Sequence, residues 1–174
     1  SANPDTYFQS REATNPWYDA VYDHVEKAMD DFAAATGRQY KPFEFYGHPQ
    51  AERVIVIMGS AIGTCEEVVD ELLSRGEKVG VLKVRLYRPF SAAHLLAALP
   101  ESARAVAVLD RTKEPGALAE PLYLDVMTAL AEAFNRGERE TLPRTIGGRY
   151  GLSSKEFGPE CVLAVFSELQ SAQP

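Results

Sequence analysis

A short apolar run that leads directly into a charged turn decides the fold class of this chain. Residues Val106 to Gly116 read VAVLDRTKEPG. The four apolar residues at the start of this stretch are typical of a strand that is covered on both faces of a sheet. The charged residues that follow fall in the loop at the carboxyl end of that strand, where open α/β sheets gather ligands and partner surfaces. We therefore expect any function of this chain at that edge.

The same transition recurs along the chain and alternates with helical patterns. Strands are predicted at 53–58, 79–86, 103–109 and 144–150, with a short edge strand at 43–47. Helices are predicted at 17–35, 64–74, 91–99, 121–134 and 159–169. Gly37 and Gly76 end two of these helices, and Ser91 is an N-cap. The alternation predicts an α/β fold with a three-layer, doubly wound, mostly parallel sheet.

The length of 174 residues fits one domain preceded by an arm. Residues 1–16 are polar and show no hydrophobic period, so we expect an N-terminal arm at 1–16 and a single α/β domain at 17–174. The helix predicted at 17–35 carries an apolar stripe that includes Trp17, Tyr18 and Tyr22. We expect these three aromatic side chains to pack in the core.

Charge and cysteine usage narrow the classes of function. The net charge is -7, which argues against partners such as nucleic acid or an anionic membrane surface. The two cysteines, Cys65 and Cys161, share no metal-ligand spacing, so we expect reduced thiols, a cytoplasmic location and no zinc or iron–sulfur ligation within the chain. No apolar stretch approaches the ~20 residues that span a membrane. The start of the chain also lacks the pattern of a signal peptide.

A glycine-containing turn is a candidate phosphate loop. It reads GSAIGT and lies between a predicted strand and a predicted helix, where backbone N–H groups can hold a phosphate. The turn differs from the dinucleotide-binding pattern because position 61 is alanine, and it lacks the lysine of a P-loop. Glu66 and Glu67 at the predicted helix start would oppose an anion. A structural turn is therefore favoured over a phosphate cradle, whose residues would be Gly59, Ser60, Gly63 and Thr64.

Charged side chains cluster where the predicted strands end. Such residues can contact an anion or a neighbouring domain, or they can pair with one another. No serine or cysteine nucleophile with a companion histidine accompanies them, so a hydrolase is disfavoured. The candidate interdomain or anion-contact residues are Arg88, Asp110, Arg111, Lys113, Glu114, Arg149 and Lys155.

Several long motifs together resemble those of the pyruvate:ferredoxin (flavodoxin) oxidoreductase family. They occur in the order and spacing of that family and extend over nearly the whole chain. The motifs are NPDTYFQ at 3–9 followed by Arg11 and Glu12, MGS at 58–60, LYRPF at 86–90, LDRTKEPG at 109–116, and GRYGLSSK at 148–155. The resemblance is to an internal segment of a longer polypeptide, the second domain, which is similar to the C-terminal domain of transketolase.

The resemblance implies a function for a larger parent protein. The complete enzyme of this family decarboxylates pyruvate oxidatively on thiamine diphosphate with Mg, passes electrons through [4Fe-4S] clusters to ferredoxin or flavodoxin, and forms acetyl-CoA from CoA. It also implies that the parent is a homodimer and that these cofactors are bound by other domains. We therefore expect this chain to hold no cofactor and no catalytic or metal-binding residue, and to act as a non-catalytic interdomain domain. The alternative is an autonomous nucleotide- or anion-binding α/β module.

Overall fold

A five-stranded sheet with helices on both faces organises the chain. The computed structural model describes residues 3–171. The strands are β1 (Phe43–Gly47), β2 (Arg53–Met58), β3 (Val79–Val84), β4 (Ala105–Asp110) and β5 (Arg144–Arg149). The helices are α1 (Pro4–Glu12), α2 (Asn15–Asp19), α3 (Val21–Thr36), α4 (Ile62–Ser74), α5 (Ala92–Ala98), α6 (Pro121–Asn135) and α7 (Pro159–Gln170), with a 3₁₀ turn at Leu152–Ser154.

The described residues divide into two compact units. The first unit comprises the described part of Ser1–Pro42 together with Leu86–Phe90. The second unit comprises Phe43–Arg85 and the described part of Ser91–Pro174, and it contains the whole sheet. Residues 1 and 2, at the start of the predicted arm, and residues 172–174 lie outside the described range.

The strand order of the sheet is β1-β3-β2-β4-β5. Strand β1 pairs antiparallel with β3 at one edge, and all other neighbours are parallel. The prediction of a mostly parallel α/β sheet with an edge strand at 43–47 is therefore confirmed. Because β2 pairs with β3 on one side and with β4 on the other, the winding of the chain reverses between β2 and β4. That reversal is the topological switch point, where open α/β sheets bind ligands.

Helices cover both faces of the sheet, as the three-layer prediction requires. Helices α4 and α7 pack against each other and against the central strands. Helices α5 and α6 form a second pair, in which α5 contacts β1 and α6 contacts β4 and β5. Strands β3 and β4 are buried along their whole length, which explains why their sequences, apart from Lys83 and Asp110, carry no charge and show no polar alternation. The core under α4 and α7 includes Ile55, Ile57, Val69, Leu72, Val81, Ala107, Val162 and Phe166.

The helix predicted at 17–35 is interrupted, so part of its predicted core is wrong. Helix α2 ends at Asp19, the N–H of the next residue, Ala20, bonds to the carbonyl of Pro16, and α3 then begins at Val21. Residues before the interruption do not continue the buried stripe of α3. Tyr22 is buried as predicted, but Trp17 is 80% exposed and Tyr18 is also exposed. Neither of these two residues belongs to the core.

Candidate functional site

Loops from the carboxyl ends of β2, β4 and β5 surround a pocket at the switch point. Its volume is about 250 Å³, and we call it the switch-point pocket. It lies entirely within the second unit. The lining residues are Ser60, Ala61, Thr64, Arg111, Tyr150, Gly151, Lys155 and Phe157.

The first turn of α4 forms one wall of the switch-point pocket. The helix begins at Ile62, and no side chain caps its N-terminus. The Ile62 N–H bonds to the carbonyl of Gly59 at 3.3 Å, and Gly59 adopts a positive φ of 86° that favours glycine. Within residues 3–171, the backbone N–H groups of Gly63 and Thr64 have no acceptor. Two backbone donors thus lie in the first turn of α4, and Thr64, which carries one of them, lines the pocket.

The predicted position of Glu66 and Glu67, at the start of α4, is wrong. Because Gly63 and Thr64 adopt helical geometry, α4 starts two residues earlier than predicted, and its first turn contains no acidic residue. Glu66 also accepts a hydrogen bond of 2.8 Å from Lys83, which is buried and bonds to Glu44 as well. The charge of Glu66 is therefore compensated at a distance from the positive end of the helix.

Arg111 and Lys155 supply the positive charge of the switch-point pocket. The Nε of Arg111 donates to the carbonyl of Gly151 at 3.1 Å. Gly151 has a φ of 62°, and a Cβ atom there would lie 3.0 Å from Arg111 Nε, so glycine allows this close packing. Among the described residues, no carboxylate oxygen lies within 4.0 Å of either cation. Two cations without an ion pair thus line one cavity of an acidic protein.

Tyr150 fastens the end of β5 to the end of β2 behind the pocket. Its hydroxyl donates to the carbonyl of Met58 at 2.7 Å, and its ring packs on Phe157 with centroids 4.9 Å apart. Burial raises the pKa of Tyr150, and the charge of Arg111 opposes that shift. The tyrosine is therefore a structural brace for the pocket.

Asp110 serves the start of α6 instead of facing a ligand. This last residue of β4 is only 4% exposed. Its two carboxylate oxygens accept hydrogen bonds from the N–H groups of Leu122, at 2.9 Å, and Tyr123, at 3.2 Å. Burial raises the pKa of Asp110 above its ordinary value, although the two backbone hydrogen bonds oppose the shift. Asp110 therefore acts as a helix cap that reaches across from the sheet.

Glu120 organises a second group of charges that sequence analysis missed. Its buried carboxylate binds the guanidinium of Arg149, accepts a 2.9 Å hydrogen bond from the N–H of Glu114 and lies 3.8 Å from Lys113 Nζ. Burial acts to raise the pKa of Glu120, but the hydrogen bonds from Arg149 and Glu114 and the nearby positive charges outweigh it, so the pKa is lowered. The signal in the sequence was Pro121, which marks the start of α6 and places Glu120 beside the basic loop.

Arg88 belongs to the first unit and packs on its own neighbour. Its guanidinium lies 3.9 Å from the centre of the Tyr87 ring, and its Nη2 donates to the Tyr87 hydroxyl at 2.9 Å. The structure thus gathers Arg111 and Lys155 at the switch-point pocket with Ser60 and Thr64. It gathers Lys113, Glu114 and Arg149 around Glu120.

Within residues 3–171, neither the buried cysteine nor any group of metal-ligand side chains forms a further site. Cys65 is fully buried, and burial together with the charge of Glu66 raises the pKa of its thiol to about 12, as is typical of an unreactive cysteine. Within residues 3–171, no three His, Cys, Asp or Glu side chains are grouped so that they could hold a metal ion. No helix in that range is both long enough and apolar enough to cross a membrane.

Comparisons with known proteins place the chain within much larger relatives. It is 87% identical over its whole length to a probable pyruvate-flavodoxin oxidoreductase of Escherichia coli K12, of which it spans 15%. It is 60% identical to a pyruvate-flavodoxin oxidoreductase of Rhodospirillum rubrum and 55% identical to a pyruvate:ferredoxin oxidoreductase of Moorella thermoacetica, and it spans 15% and 14% of them.

A solved structure and a family profile complete the comparison. The fold is similar to part of 2-oxoglutarate:ferredoxin oxidoreductase from Magnetococcus marinus, solved with 2-oxoglutarate, coenzyme A and succinyl-CoA bound. The TM-score is 0.57 at 19% identity, over 98% of this chain and 24% of that one, which shows a shared fold. The profile of pyruvate:ferredoxin oxidoreductase core domain II matches residues 51–152. The chain therefore belongs to the pyruvate:ferredoxin oxidoreductase core domain II family.

Proposed function

We propose that this chain is a non-catalytic interdomain domain of a larger cytoplasmic enzyme that oxidises pyruvate to acetyl-CoA and CO₂. In this proposal the parent is a homodimer that binds thiamine diphosphate, Mg and [4Fe-4S] clusters in other domains and reduces ferredoxin or flavodoxin. Support comes from the relatives, all three of which are named as pyruvate oxidoreductases and are about seven times longer than the segment they share with this chain, since it spans 14–15% of each.

The observation that carries the interdomain role is the exposure of aromatic side chains on α1 and α2. Neither helix has a buried residue. Phe8 is 68% exposed, Tyr7 is exposed as well, and α2 carries Trp17 and Tyr18. Short helices need a buried apolar face to be stable, and one aromatic side chain buries about 150–250 Å² when it is covered. We infer that neighbouring domains of the parent cover these helices.

A second exposed apolar group lies in the loop between β4 and α6. Leu118 is 98% exposed, next to the charged group around Glu120. Exposed apolar side chains are found in protein–protein contacts. We infer that Leu118 contacts a neighbouring domain of the parent at the carboxyl edge of the sheet.

Fewer of the cations at the strand ends are available for docking than the sequence alone suggests. Lys113 and Arg149 already face the buried carboxylate of Glu120, so their charges are less available to a neighbouring domain. Arg88 stacks on Tyr87. Docking in our proposal depends mainly on the aromatic groups and Leu118.

Hydrogen exchange tests the interdomain role. We expect amides of α1 and α2 to exchange rapidly in the 174-residue chain and slowly in the full-length protein, because only the latter supplies covering domains. Strand β2, which is paired on both sides, is the internal control and should be protected in both. Equal, strong protection of α1 in both proteins would show that the arm needs no neighbour.

An activity assay tests the non-catalytic role separately. The 174-residue chain is mixed with pyruvate, CoA, thiamine diphosphate and a viologen acceptor. We expect no turnover above a buffer blank, because the proposal places thiamine diphosphate and the [4Fe-4S] clusters in other domains of the parent. Measurable reduction of the viologen would refute this role.

A further inference from the structure

We propose that the switch-point pocket binds a phosphate group, held by Arg111 and Lys155, either as inorganic phosphate or as the terminal phosphate of a small metabolite. This site shares no residue with the proposed docking contacts, since the described lining of the pocket includes neither the aromatic side chains of α1 and α2 nor Leu118.

The charge balance of the pocket favours an anion. Arg111 and Lys155 both line the cavity, and within residues 3–171 neither has a carboxylate partner. The other loop cations of this edge, Lys113 and Arg149, are turned to Glu120. None of the described residues lining the pocket is acidic. An unpaired arginine next to a lysine supplies a planar fork of donors and a point charge, the combination with which proteins hold phosphate.

The lining of the pocket also includes residues with neutral hydrogen-bond donors, Ser60 and Thr64. The N–H groups of Thr64 and of its neighbour Gly63 are without an acceptor in the described residues. A phosphate dianion has enough acceptor oxygens to bind both cations and neutral donors at once, whereas a single carboxylate has only two oxygens. The donors therefore match phosphate better than carboxylate.

The location and size of the pocket agree with this ligand. It lies where the chain reverses between β2 and β4, the position at which open α/β sheets bind ligands. A volume of about 250 Å³ is small for a dinucleotide and ample for a phosphate with a short substituent. Gly151 keeps the guanidinium of Arg111 against the backbone at the rim, so little ordering of that side chain is needed on binding.

A titration of the ¹⁵N-labelled 174-residue chain with inorganic phosphate tests the site. We expect saturable shifts of the amide resonances of Gly63, Thr64 and Gly151. Arg111→Gln and Lys155→Gln should each raise the apparent dissociation constant for phosphate about tenfold, because each removes one charge-assisted contact. Retained affinity in both variants would overturn the proposal.

Matched controls separate the site from general charge effects. Arg136→Gln and Lys78→Gln remove the same charges from side chains that pair with Glu138 and Glu52. These variants should bind phosphate as tightly as the unsubstituted 174-residue chain does. If they lose as much affinity as Arg111→Gln does, the attraction is non-specific and the proposed site is overturned. The spectrum of each variant without phosphate reports whether it is folded.

Two further ligands define the chemistry that is recognised. Glycerol 3-phosphate binding more tightly than inorganic phosphate would identify a phosphate monoester as the ligand, and the reverse order would identify free phosphate; either order supports the site. Acetate that binds as tightly as phosphate would overturn the assignment, because it would show a general carboxylate site.

The full-length protein provides a test that does not depend on folding of the isolated chain. Its crystals are soaked with tungstate, a heavy analogue of phosphate, and anomalous scattering is measured. We expect a peak between Arg111 and Lys155 that is absent in the double glutamine variant. An empty pocket, or a side chain from another domain seated between these two cations, would overturn the proposal whatever the isolated chain does.

Discussion

The carboxylate of Asp110, the last residue of β4, accepts a 2.9 Å hydrogen bond from the backbone N–H of Leu122, twelve residues later at the start of α6. This bond and the one from Tyr123 fasten both ends of the charged loop 111–120 to the sheet. The loop that carries Arg111 and Leu118 thereby starts and ends at fixed points. Asp110 is thus a positioning residue both for Arg111 in the switch-point pocket and for Leu118 in the proposed docking contact.

Replacing Asp110 with alanine is expected to lower the free energy of unfolding by about 1–3 kcal/mol. The variant loses a helix cap and leaves a buried N–H group without an acceptor. Urea denaturation of the 174-residue chain measures the change. Asp110→Asn keeps one side-chain oxygen as an acceptor and should lose less. Equal losses in the two variants would show that the hydrogen bonds contribute little.

The effect of Asp110→Ala should also depend on pH. Because the pKa of Asp110 is raised in the folded state, the protonated form is favoured by folding. Its contribution to stability is fully present below the ordinary pKa and is lost as the pH rises through the folded-state pKa. We therefore expect a larger loss in the alanine variant at pH 3.5 than at pH 7, measured by urea denaturation at both values. A larger loss at pH 7 would contradict the direction of the shift.

Glu120→Gln should show the opposite dependence on pH. The pKa of Glu120 is lowered by its partners, so its contribution is present above the ordinary pKa of glutamate and is lost as the pH falls through the folded-state pKa. We expect the glutamine variant to be less stable than the unsubstituted 174-residue chain at neutral pH and equally stable in acid. Thermal unfolding across this range is the measurement. Glu140→Gln, at an exposed glutamate, is the control and should follow the parent at every pH.

Gly80→Ala is expected to destabilise the chain by about 1–3 kcal/mol, the usual cost of overpacking. Gly80 lies in β3 opposite Gly47, and a Cβ atom there would collide with the ring of Phe45 and lie 2.9 Å from the carbonyl of Tyr46. Gly63→Ala is the matched control, since nothing lies within 4 Å of its added Cβ and alanine favours the helix. Chemical denaturation measures the free energy of unfolding of both variants. If Gly80→Ala is as stable as Gly63→Ala, β1 does not pack closely on β3.

Lys83→Ala should destabilise the chain more than Lys83→Met. The buried ammonium of Lys83 binds Glu44 and Glu66, so alanine removes both the aliphatic stem and the charge, whereas methionine keeps most of the packing. We expect a loss of about 1–3 kcal/mol for alanine and a smaller one for methionine, measured by equilibrium unfolding. Equal losses in the two variants would mean that the charge, which both of them remove, and not the stem provides the stabilisation.

The sheet could be predicted from sequence because its strands are buried on both faces. An apolar run such as Val54 to Ile57 leaves little choice of structure when glycines and charged turns surround it. Local sequence also marks two helix termini, since Gly37 caps the C-terminus of α3 and Ser91 caps the N-terminus of α5. Trp17 could not be placed in this way, because a helical period shows which side chains share a face and not whether that face is covered.

The candidate site was harder to predict because it depends on which charges pair. Arg111, Lys113 and Arg149 look equivalent in sequence, and only the buried position of Glu120 separates the paired cations from the unpaired one. The two-residue difference in the start of α4 likewise reversed the argument about Glu66. Small shifts in where an element begins change which charge faces a ligand, and such shifts lie below what local patterns can resolve.

The central position of β2 has a consequence for how the chain is made. A ribosome releases β2 before either of its neighbours, so both of its edges stay open until β3 and then β4 have been synthesised. During that interval Val54 to Ile57 is a bare β-branched segment of the kind that nucleates intermolecular strands. Arg53 and Glu52 provide the only charges immediately before it. A nascent chain that stalls anywhere between β2 and β4 is therefore a substrate for chaperones, and truncations ending there should aggregate instead of folding.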